Sequence, residues 1–268
     1  LRLQPWGLPK LAAALEEALR AHKGFPAREY VWPDRNLTIR PHKTLIMGIL
    51  NLTPDSFSDG GRYNSLDNAL RQAERLIAGG ADILDIGAES TRPYGGSQEI
   101  SAEEELDRLL PVLEKVLKVV PAPVSVDTYK AEVAQAALRA GAHMINDVWG
   151  LQKDRAMAAV VAAHDAPVIV MHNQKGSYYE KDIMSHIREF LQQSIDIGVS
   201  AGISFDKFII DPGIGFGKMF AQNLEVLSRL QELKSLGCPI LLGTSRKRFI
   251  GEALGGAAPE ERLEGTAA

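Results

Sequence analysis

The sequence has one cysteine, Cys238, among its 268 residues. A single thiol can form no internal disulfide, so we expect a reducing compartment and a cytoplasmic protein. No apolar run approaches the roughly 18 residues that a membrane helix needs, and no signal peptide is visible. Basic charge is also scarce, because the net charge is −4, whereas nucleic-acid binders more often have a basic face. These shortages argue against a membrane protein, a nucleic-acid partner and a disulfide-stabilised fold.

The residues that are present are typical of a globular α/β chain. Hydrophobic residues make up 45% of the sequence, which is enough to bury a large core. The sequence predicts an amphipathic helix over residues 9–22 and a hairpin over residues 29–40. From residue 44 onward, short apolar runs alternate with longer helical patterns. The predicted strands are 44–50, 81–87, 123–127, 143–147, 167–172, 207–211 and 238–244. The predicted helices of this region are 66–79, 101–119, 129–140, 153–164, 181–200, 220–236 and 246–254.

Seven strand–helix units in a row are typical of a (β/α)8 barrel or of a doubly wound, flavodoxin-like sheet. Polar residues end nearly every predicted strand: Asn51, Asp85, Asp127, Asn146, Asp147, His172, Asn173, Asp211 and residues 244–247. In a barrel these ends meet at one mouth, where the active sites of that fold lie, whereas an open sheet spreads them along an edge. The polar ends therefore favour the barrel.

The predicted helix over residues 101–119 carries two further signals. Ser101 is followed three residues later by Glu104, which is a capping-box pattern at a helix start. Pro111 lies inside the helix and predicts a kink or a break there.

Two long loops follow the first two barrel strands. The first, GILNLTPDSFSDGG at residues 48–61, is rich in polar groups that are costly to bury unpaired. It is a candidate lid over a polar ligand, and a solvated surface turn is the alternative. The second loop, residues 88–101, offers Thr91 and Arg92 to an anionic group, although a surface salt bridge is the alternative for Arg92.

Polar residues at the later strand ends have more than one interpretation. Asp127 could line a site or could cap the helix that follows it. The glycines of residues 213–217 lack the GxGxxG spacing and come late in the chain, so we exclude NAD binding. Arg246 and Lys247 could hold a phosphate or a carbonyl-rich ring. His172 could be a ligand, but a lone histidine at a strand end is more often structural, and no zinc-type cluster is visible.

Six segments together resemble the dihydropteroate synthase family. They are MGILNLTPDSFSDGG, DIGAESTRP, VSVDT, IND, DPGIGFGK and LLGTSRK, in the order and spacing of that family. The resemblance covers residues 43–268 and implies a pterin-binding TIM barrel there, preceded by an N-terminal helix and hairpin extension over residues 1–42. It implies that the chain joins 4-aminobenzoate to 6-hydroxymethyl-7,8-dihydropterin diphosphate and releases pyrophosphate, with Mg2+, as a homodimer and as a target of sulfonamides.

The resemblance also implies roles for single residues at the pterin. Asp211 corresponds to the carboxylate that binds the 2-amino and N3–H edge, and Asn146 complements the adjacent edge. Lys247 corresponds to the lysine that reaches the pterin carbonyl and N5. Asp127 corresponds to a buried carboxylate beside the ring, which we expect to stabilise positive charge as the diphosphate leaves.

The remaining implied residues surround the diphosphate and the second substrate. Asn51 corresponds to the metal ligand. Thr91 and Arg92 are expected to contact substrate, with Arg92 joining Asp127 and Lys247 as a catalytic residue. Phe216 and Pro93 are expected to flank the aminobenzoate ring.

The sequence departs from the family pattern in three places. Tyr94 stands where the family usually proceeds to glycine, and Arg248 where it often has a small hydroxyl residue, so Arg248 could pair with the aminobenzoate carboxylate or obstruct it. The family continues past residue 268 with an eighth strand that carries an Arg and a His. We expect that eighth βα unit to be missing from the sequence by truncation.

Two rival functions stay open at this point. A methyltetrahydrofolate methyltransferase would share the pterin carboxylates, but it has no use for a loop that holds diphosphate and metal. A catalytically silent paralogue would bind pterin without turnover, and the missing eighth unit and Arg248 motivate it.

Overall fold

The computed structural model describes residues 8–52, 61–90 and 99–268. Its two-stranded antiparallel hairpin consists of β1 (Arg28–Val31) and β2 (Asn36–Ile39). The parallel sheet consists of β3 (Met47–Asn51), β4 (Ile83–Gly87), β5 (Val124–Asp127), β6 (Met144–Asp147), β7 (Val168–Met171) and β8 (Phe208–Asp211). The α-helices are α1 (Leu8–Lys23), α2 (Gly61–Ala78), α3 (Ala102–Val119), α4 (Ala131–Arg139), α5 (Met157–Ala163), α6 (Ile183–Ser200), α7 (Phe220–Ser228), α8 (Arg248–Ala253) and α9 (Leu263–Ala267). Short 3-10 helices span Phe205–Lys207, Leu230–Leu236 and Pro259–Glu261.

The strands of the parallel sheet lie side by side in chain order, from β3 to β8. A flavodoxin-like sheet reverses its strand order at a switch point, so that alternative is wrong. A parallel α/β sheet in unbroken chain order confirms the architecture expected of a barrel wall. The described pairings run from β3 to β8 and do not include a pairing that returns to β3.

The seventh predicted strand, residues 238–244, is much shorter in the structure. It reduces to a single bridge between Ile210 and Ile240, in which the Leu241 amide donates to the Ile210 carbonyl over 2.8 Å. Pro239 has no amide proton to extend the ladder, and its carbonyl only accepts from the Ile210 amide. The segment still continues the sheet beside β8, in chain order.

Helix α3 runs without interruption across Pro111, so the predicted break is wrong. Its buried stripe includes Leu109, Leu113 and Val116, whereas Pro111 lies on the exposed side, where water can solvate the backbone carbonyl that loses its bond. The Ser101 side chain accepts from the Glu104 amide over 3.1 Å, which confirms the cap at the start of this helix. Throughout the described ranges, no helix has the length and apolar character that spanning a membrane requires.

The hairpin closes the amino-terminal end of the sheet. Its Tyr30 and Leu37 pack in one buried cluster with residues near the starts of four strands, Ile83, Met144, Ile169 and Ile209. The Tyr30 hydroxyl donates to the Asp206 carbonyl over 3.0 Å, and the Arg28 guanidinium donates to the Gly237 carbonyl over 3.1 Å. Since this end is filled by side chains, a ligand has room at the opposite, carboxyl end.

Candidate active site

Alternation along the strands divides their polar residues between two faces. The main core, which lies against the helices, contains Leu84, Ile86, Val126, Ile145 and Ile210. Residues one position away from these face the other side of the sheet, because neighbouring side chains in a strand point to opposite faces. That inner face carries the hairpin cluster at its amino-terminal end. At its carboxyl end the same face presents Asn51, Asp85, Asp127, Asn146 and Asp211.

Strand register brings these polar residues close together. Asp127 on β5 is the direct partner of Asn146 on β6, and Gly87 on β4 lies on the other side of Asp127. Asp211 on β8 is paired with Met171 on β7. Three of the predicted binding residues therefore lie on the same edge of the sheet, within four adjacent strands.

The Asn146 side chain is oriented by Asp85, a strand-end carboxyl group to which the sequence analysis assigned no role. Its amide nitrogen donates to Asp85 Oδ2 over 2.9 Å, which leaves its carbonyl oxygen as a free acceptor. Asp85 is buried, and burial raises its pKa, although the nearby Ser125 hydroxyl and the bond from Asn146 oppose that shift. A carboxylate inside the otherwise apolar run ILDIG, residues 83–87, was the sequence signal for this contact.

Asp127 has an acceptor that no other residue satisfies in the described part of the chain. Its Oδ1 is buried without a hydrogen-bond partner. Burial raises its pKa well above the usual value, and the nearby charges of Asp85 and Glu105 add to the shift. Asp127 is not a helix cap, because α4 begins after Lys130 and the Ala131 amide donates to Asp154. A group with a proton to donate, or with positive charge, would be stabilised beside Asp127.

Asp211, Lys247 and Phe216 form the other half of the site. Asp211 is buried, and its Oδ1 accepts from the Gly213 amide over 2.7 Å. Burial raises the Asp211 pKa, but Lys247 and Lys218 oppose the shift. The Lys247 ammonium donates to the Ile214 carbonyl and lies 4.8 Å from the centroid of the Phe216 ring. The structure thus brings together a carboxyl group, a cation and an aromatic ring, as the sequence predicted.

A small apolar cluster stands beside these polar groups. Tyr129, Val148 and Met171 form its buried part, and Trp149 and Phe216 pack against it. Its members come from the carboxyl ends of β5, β6, β7 and β8, so it lies on the same side of the sheet as the polar groups. Apolar side chains next to a few convergent polar groups are typical of a pocket for a flat heterocycle.

Asn51 ends β3 next to Gly87 of β4. No other described residue forms a hydrogen bond with its side chain, and it is only half-buried. It borders a groove of about 420 Å³ that is also lined by Asn68, Arg71 and Arg75 of α2. Its amide oxygen is therefore available to a ligand.

Several sequence predictions lie outside the described residues. They are Thr91, Arg92 and Pro93, together with Tyr94 and most of the candidate lid, residues 53–60. Arg248 is described: it begins α8, is largely exposed, and donates to Glu252 over 2.9 Å.

Two strand-end residues that the sequence placed among the polar ends do not face the site. Asp147 accepts from the amides of Trp149 and Leu151, both over 2.8 Å, and so holds the turn after β6. His172 lies on the helix side, where it packs edge-on against Phe190 with ring centroids 5.0 Å apart. The structural interpretation of His172 is therefore correct.

Comparisons with known proteins identify the class that this fold and site define. The family model described as pterin binding enzyme matches residues 47–268. The dihydropteroate synthase of Bacillus subtilis (strain 168) is 51% identical over 226 residues, which cover 84% of this chain and 78% of that protein. The chain belongs to the dihydropteroate synthase family, whose members are transferases of folate synthesis.

Solved structures agree in fold. A Clostridium difficile dihydropteroate synthase, solved in the presence of pteroic acid, is 54% identical, with a TM-score of 0.81 and 84% of each chain covered. A Xanthomonas albilineans dihydropteroate synthase with 4-aminobenzoic acid is 42% identical, with a TM-score of 0.82 over 90% of this chain and 86% of that one. These neighbours are TIM barrels, so the parallel sheet described above has the strand arrangement of that fold.

Proposed function

We propose that the chain condenses 6-hydroxymethyl-7,8-dihydropterin diphosphate with 4-aminobenzoate to give 7,8-dihydropteroate and pyrophosphate. The observation that carries the proposal is the common edge on which Asp127, Asn146 and Asp211 lie beside an apolar cluster. Membership of the dihydropteroate synthase family supplies the reaction, and the site supplies the groups that it requires.

Pterin recognition uses hydrogen-bond donors on the ring and acceptors on the protein. The 2-amino group and N3–H form two parallel donors, which a carboxylate such as Asp211 matches with its two oxygens. Asn146 presents its carbonyl oxygen, because its amide nitrogen is held by Asp85. Lys247 would donate hydrogen bonds to the ring carbonyl and N5. The apolar cluster of Tyr129, Val148 and Met171 would cover the faces of the pterin rings.

The chemical step is a displacement at the methylene carbon of the pterin. The amine nitrogen of 4-aminobenzoate forms the new C–N bond, the C–O bond to the diphosphate breaks, and the nitrogen loses one proton. No strong base is required, because an aromatic amine attacks in its neutral form. Positive charge develops on the pterin side as the diphosphate leaves, and we expect the Asp127 carboxyl, whose Oδ1 has no partner among the described residues, to stabilise it.

We assign the magnesium ion a single protein ligand, the amide oxygen of Asn51. Within the described ranges, no group of three or more His, Cys, Asp or Glu side chains could hold a metal. Mg2+ prefers oxygen ligands and often takes most of them from substrate phosphates and water, so one amide oxygen from Asn51 is sufficient. When bound, the ion would neutralise charge on the diphosphate.

Further parts of the proposal rest on the family pattern. Thr91 and Arg92 would contact substrate from the loop after β4, and Pro93 would flank the aminobenzoate ring together with Phe216. A cytoplasmic homodimer is the expected form of the enzyme.

The direct test is a pyrophosphate-release assay with the pterin diphosphate, with and without 4-aminobenzoate. We expect release that requires both substrates, with dihydropteroate formed in equal amount. A methyltransferase would release no pyrophosphate. A silent paralogue would bind pterin, release no pyrophosphate and fail to complement a strain that cannot make folate, and this result would overturn the proposal.

A further inference from the structure

Lys218 is a buried lysine that the proposed chemistry does not use, and burial lowers the pKa of its ammonium group to about 7. Only 2% of its surface is exposed. Its ammonium donates to His172 Nδ1 over 2.9 Å, to the Gly213 carbonyl over 2.9 Å and to the Phe216 carbonyl over 3.1 Å. An ammonium group has three protons, and all three are engaged. Lys218 therefore has no donor left for a substrate.

The two carbonyl groups that Lys218 holds belong to the turn that builds half of the site. Gly213 donates its amide proton to the Asp211 carboxyl, and the Phe216 amide donates to the Gly213 carbonyl over 3.0 Å. The turn thus fixes the position of the Asp211 carboxyl, which is proposed to bind the pterin edge. It also fixes the Phe216 ring, which is proposed to pack against the substrate. Lys218 spans this turn from its buried side.

His172, which directly follows β7, is a rigid hydrogen-bond partner for Lys218. The imidazole is fully buried and packs edge-on against Phe190 and His186, with ring centroids 5.0 and 5.4 Å away. Burial, together with the nearby Lys218 charge, lowers its pKa to about 2, so the ring is neutral and Nδ1 accepts. Its Nε2 is buried without a partner among the described residues, so the ring is oriented to serve Lys218.

The loop after β7 and the turn after β8 also make direct contacts around this pair. The Tyr179 hydroxyl donates to the Gly217 carbonyl over 2.9 Å, and the Gln222 amide donates to the Ser177 carbonyl over 2.9 Å. A Cβ added to Gly213 would lie 2.0 Å from the His172 carbonyl oxygen, so the turn packs closely on the histidine backbone. The loop over residues 173–182 therefore supports the substrate-binding turn.

We propose that Lys218 and His172 form a positioning lock, which holds the turn over residues 211–218 in the shape that presents Asp211 and Phe216 to the substrates. The lock acts through the turn and does not touch substrate. The inference rests on the proposed function, since it assigns Asp211 and Phe216 their ligands.

A set of matched variants tests the lock. Lys218→Met keeps an unbranched chain and removes the donors, and His172→Leu removes the acceptor. His172→Asn is the conservative variant, because its side-chain oxygen can occupy the position of Nδ1. Lys175→Met, on an exposed lysine of the neighbouring loop, controls for the loss of one positive charge.

We expect Lys218→Met and His172→Leu to weaken pterin binding at least tenfold by calorimetry. The KM for the pterin diphosphate should rise in parallel, and kcat should change less. His172→Asn and Lys175→Met should stay within threefold of wild type. Lys218→Met should also move the acid limb of pterin binding to higher pH. The charged groups that face Asp211 are Lys218 and Lys247, while His172 is neutral, so this loss leaves only Lys247 to keep Asp211 ionised.

Wild-type binding and KM in folded Lys218→Met would overturn the lock, as would an equal loss in His172→Asn and His172→Leu. Thermal unfolding of each variant shows that the folded protein is being titrated. If the wild-type chain bound pterin but released no pyrophosphate, the proposed function would be refuted. Pterin binding by the variants, compared with the wild type, would still show whether the lock exists.

Discussion

Asp127 and Asp211 are both buried carboxyl groups, but they face different charges. Burial raises the pKa of Asp211, and Lys247 and Lys218 oppose that rise, which favours the ionised form that binds hydrogen-bond donors of the pterin. Asp127 is surrounded by the acidic Asp85, Glu105 and Asp147, and its pKa is raised well above the usual value. The two cations near Asp211 thus favour its ionised form, whereas the acidic groups around Asp127 would stabilise a positive charge that develops beside them.

Asp127→Ala should separate binding from turnover. We expect the variant to bind pterin within about tenfold of wild type, while kcat falls roughly 100-fold or more, because the lost group acts mainly on the developing charge. Calorimetric titration with a pterin and a steady-state assay give the two quantities. A binding loss as large as the loss of turnover would contradict this role.

His172 should make the folded protein sensitive to acid. Its pKa is lowered in the folded state to about 2, so its contribution to stability is complete above the unfolded value near 6.5 and falls as the pH drops below it. Between pH 7 and pH 5 the loss amounts to about 2 kcal/mol. Urea unfolding at both pH values should show that His172→Asn loses less than wild type by about this amount. His143 and His186 are present in both proteins, so an identical pH dependence would refute the assignment to His172.

At the scale of elements, the sequence predicted most strands and helices to within a few residues. The strands are apolar runs that end in a polar residue, and both signals are local. The predicted and observed bounds differ where a contact with a residue distant in the sequence sets the end of an element. Helix α5 begins at Met157 rather than at residue 153, because Asp154 accepts from the amides of Ala131 and Ala156 in the turn before it. The strand expected at residues 238–244 has the apolar run, but its ladder is limited to one bridge at Ile240.

Helix α3 contains a proline, whose poor helix propensity is opposed by the packing of the buried residues around it. Pro111 is exposed and has no amide proton for the helix ladder, while the buried stripe around it keeps the helix continuous. We expect Pro111→Ala to raise the free energy of unfolding by about 1–3 kcal/mol. Urea unfolding measures this change, with Glu114→Ala as an exposed control in the same helix. An unchanged or lower stability would show that the helix is already adapted to proline.

At the scale of the whole molecule, the two ends of the sheet have different uses. The hairpin fills the amino-terminal end with Tyr30 and Leu37, and polar groups occupy the carboxyl end. Alternation along each strand predicts which polar ends belong to the site, since it separates Asp127, Asn146 and Asp211 from Asp147 and His172. In the sequence analysis, the family resemblance rather than this alternation singled out these three residues. Neither could reveal Asp85 as the partner of Asn146, or Lys218 as the partner of His172, because these contacts join residues that are far apart in the chain.

The central claim is that one pterin site is formed at the carboxyl end of the sheet, and a single titration tests it. A pterin is titrated calorimetrically into wild type, Asp211→Ala and Asp206→Ala. Asp206 precedes the opposite end of the same strand, and within residues 8–52, 61–90 and 99–268 its side chain accepts only a local bond from Ser204. The account predicts one pterin per chain, wild-type affinity in Asp206→Ala, and at least a 100-fold loss in Asp211→Ala. Wild-type affinity in Asp211→Ala, or an equal loss in Asp206→Ala, would contradict it.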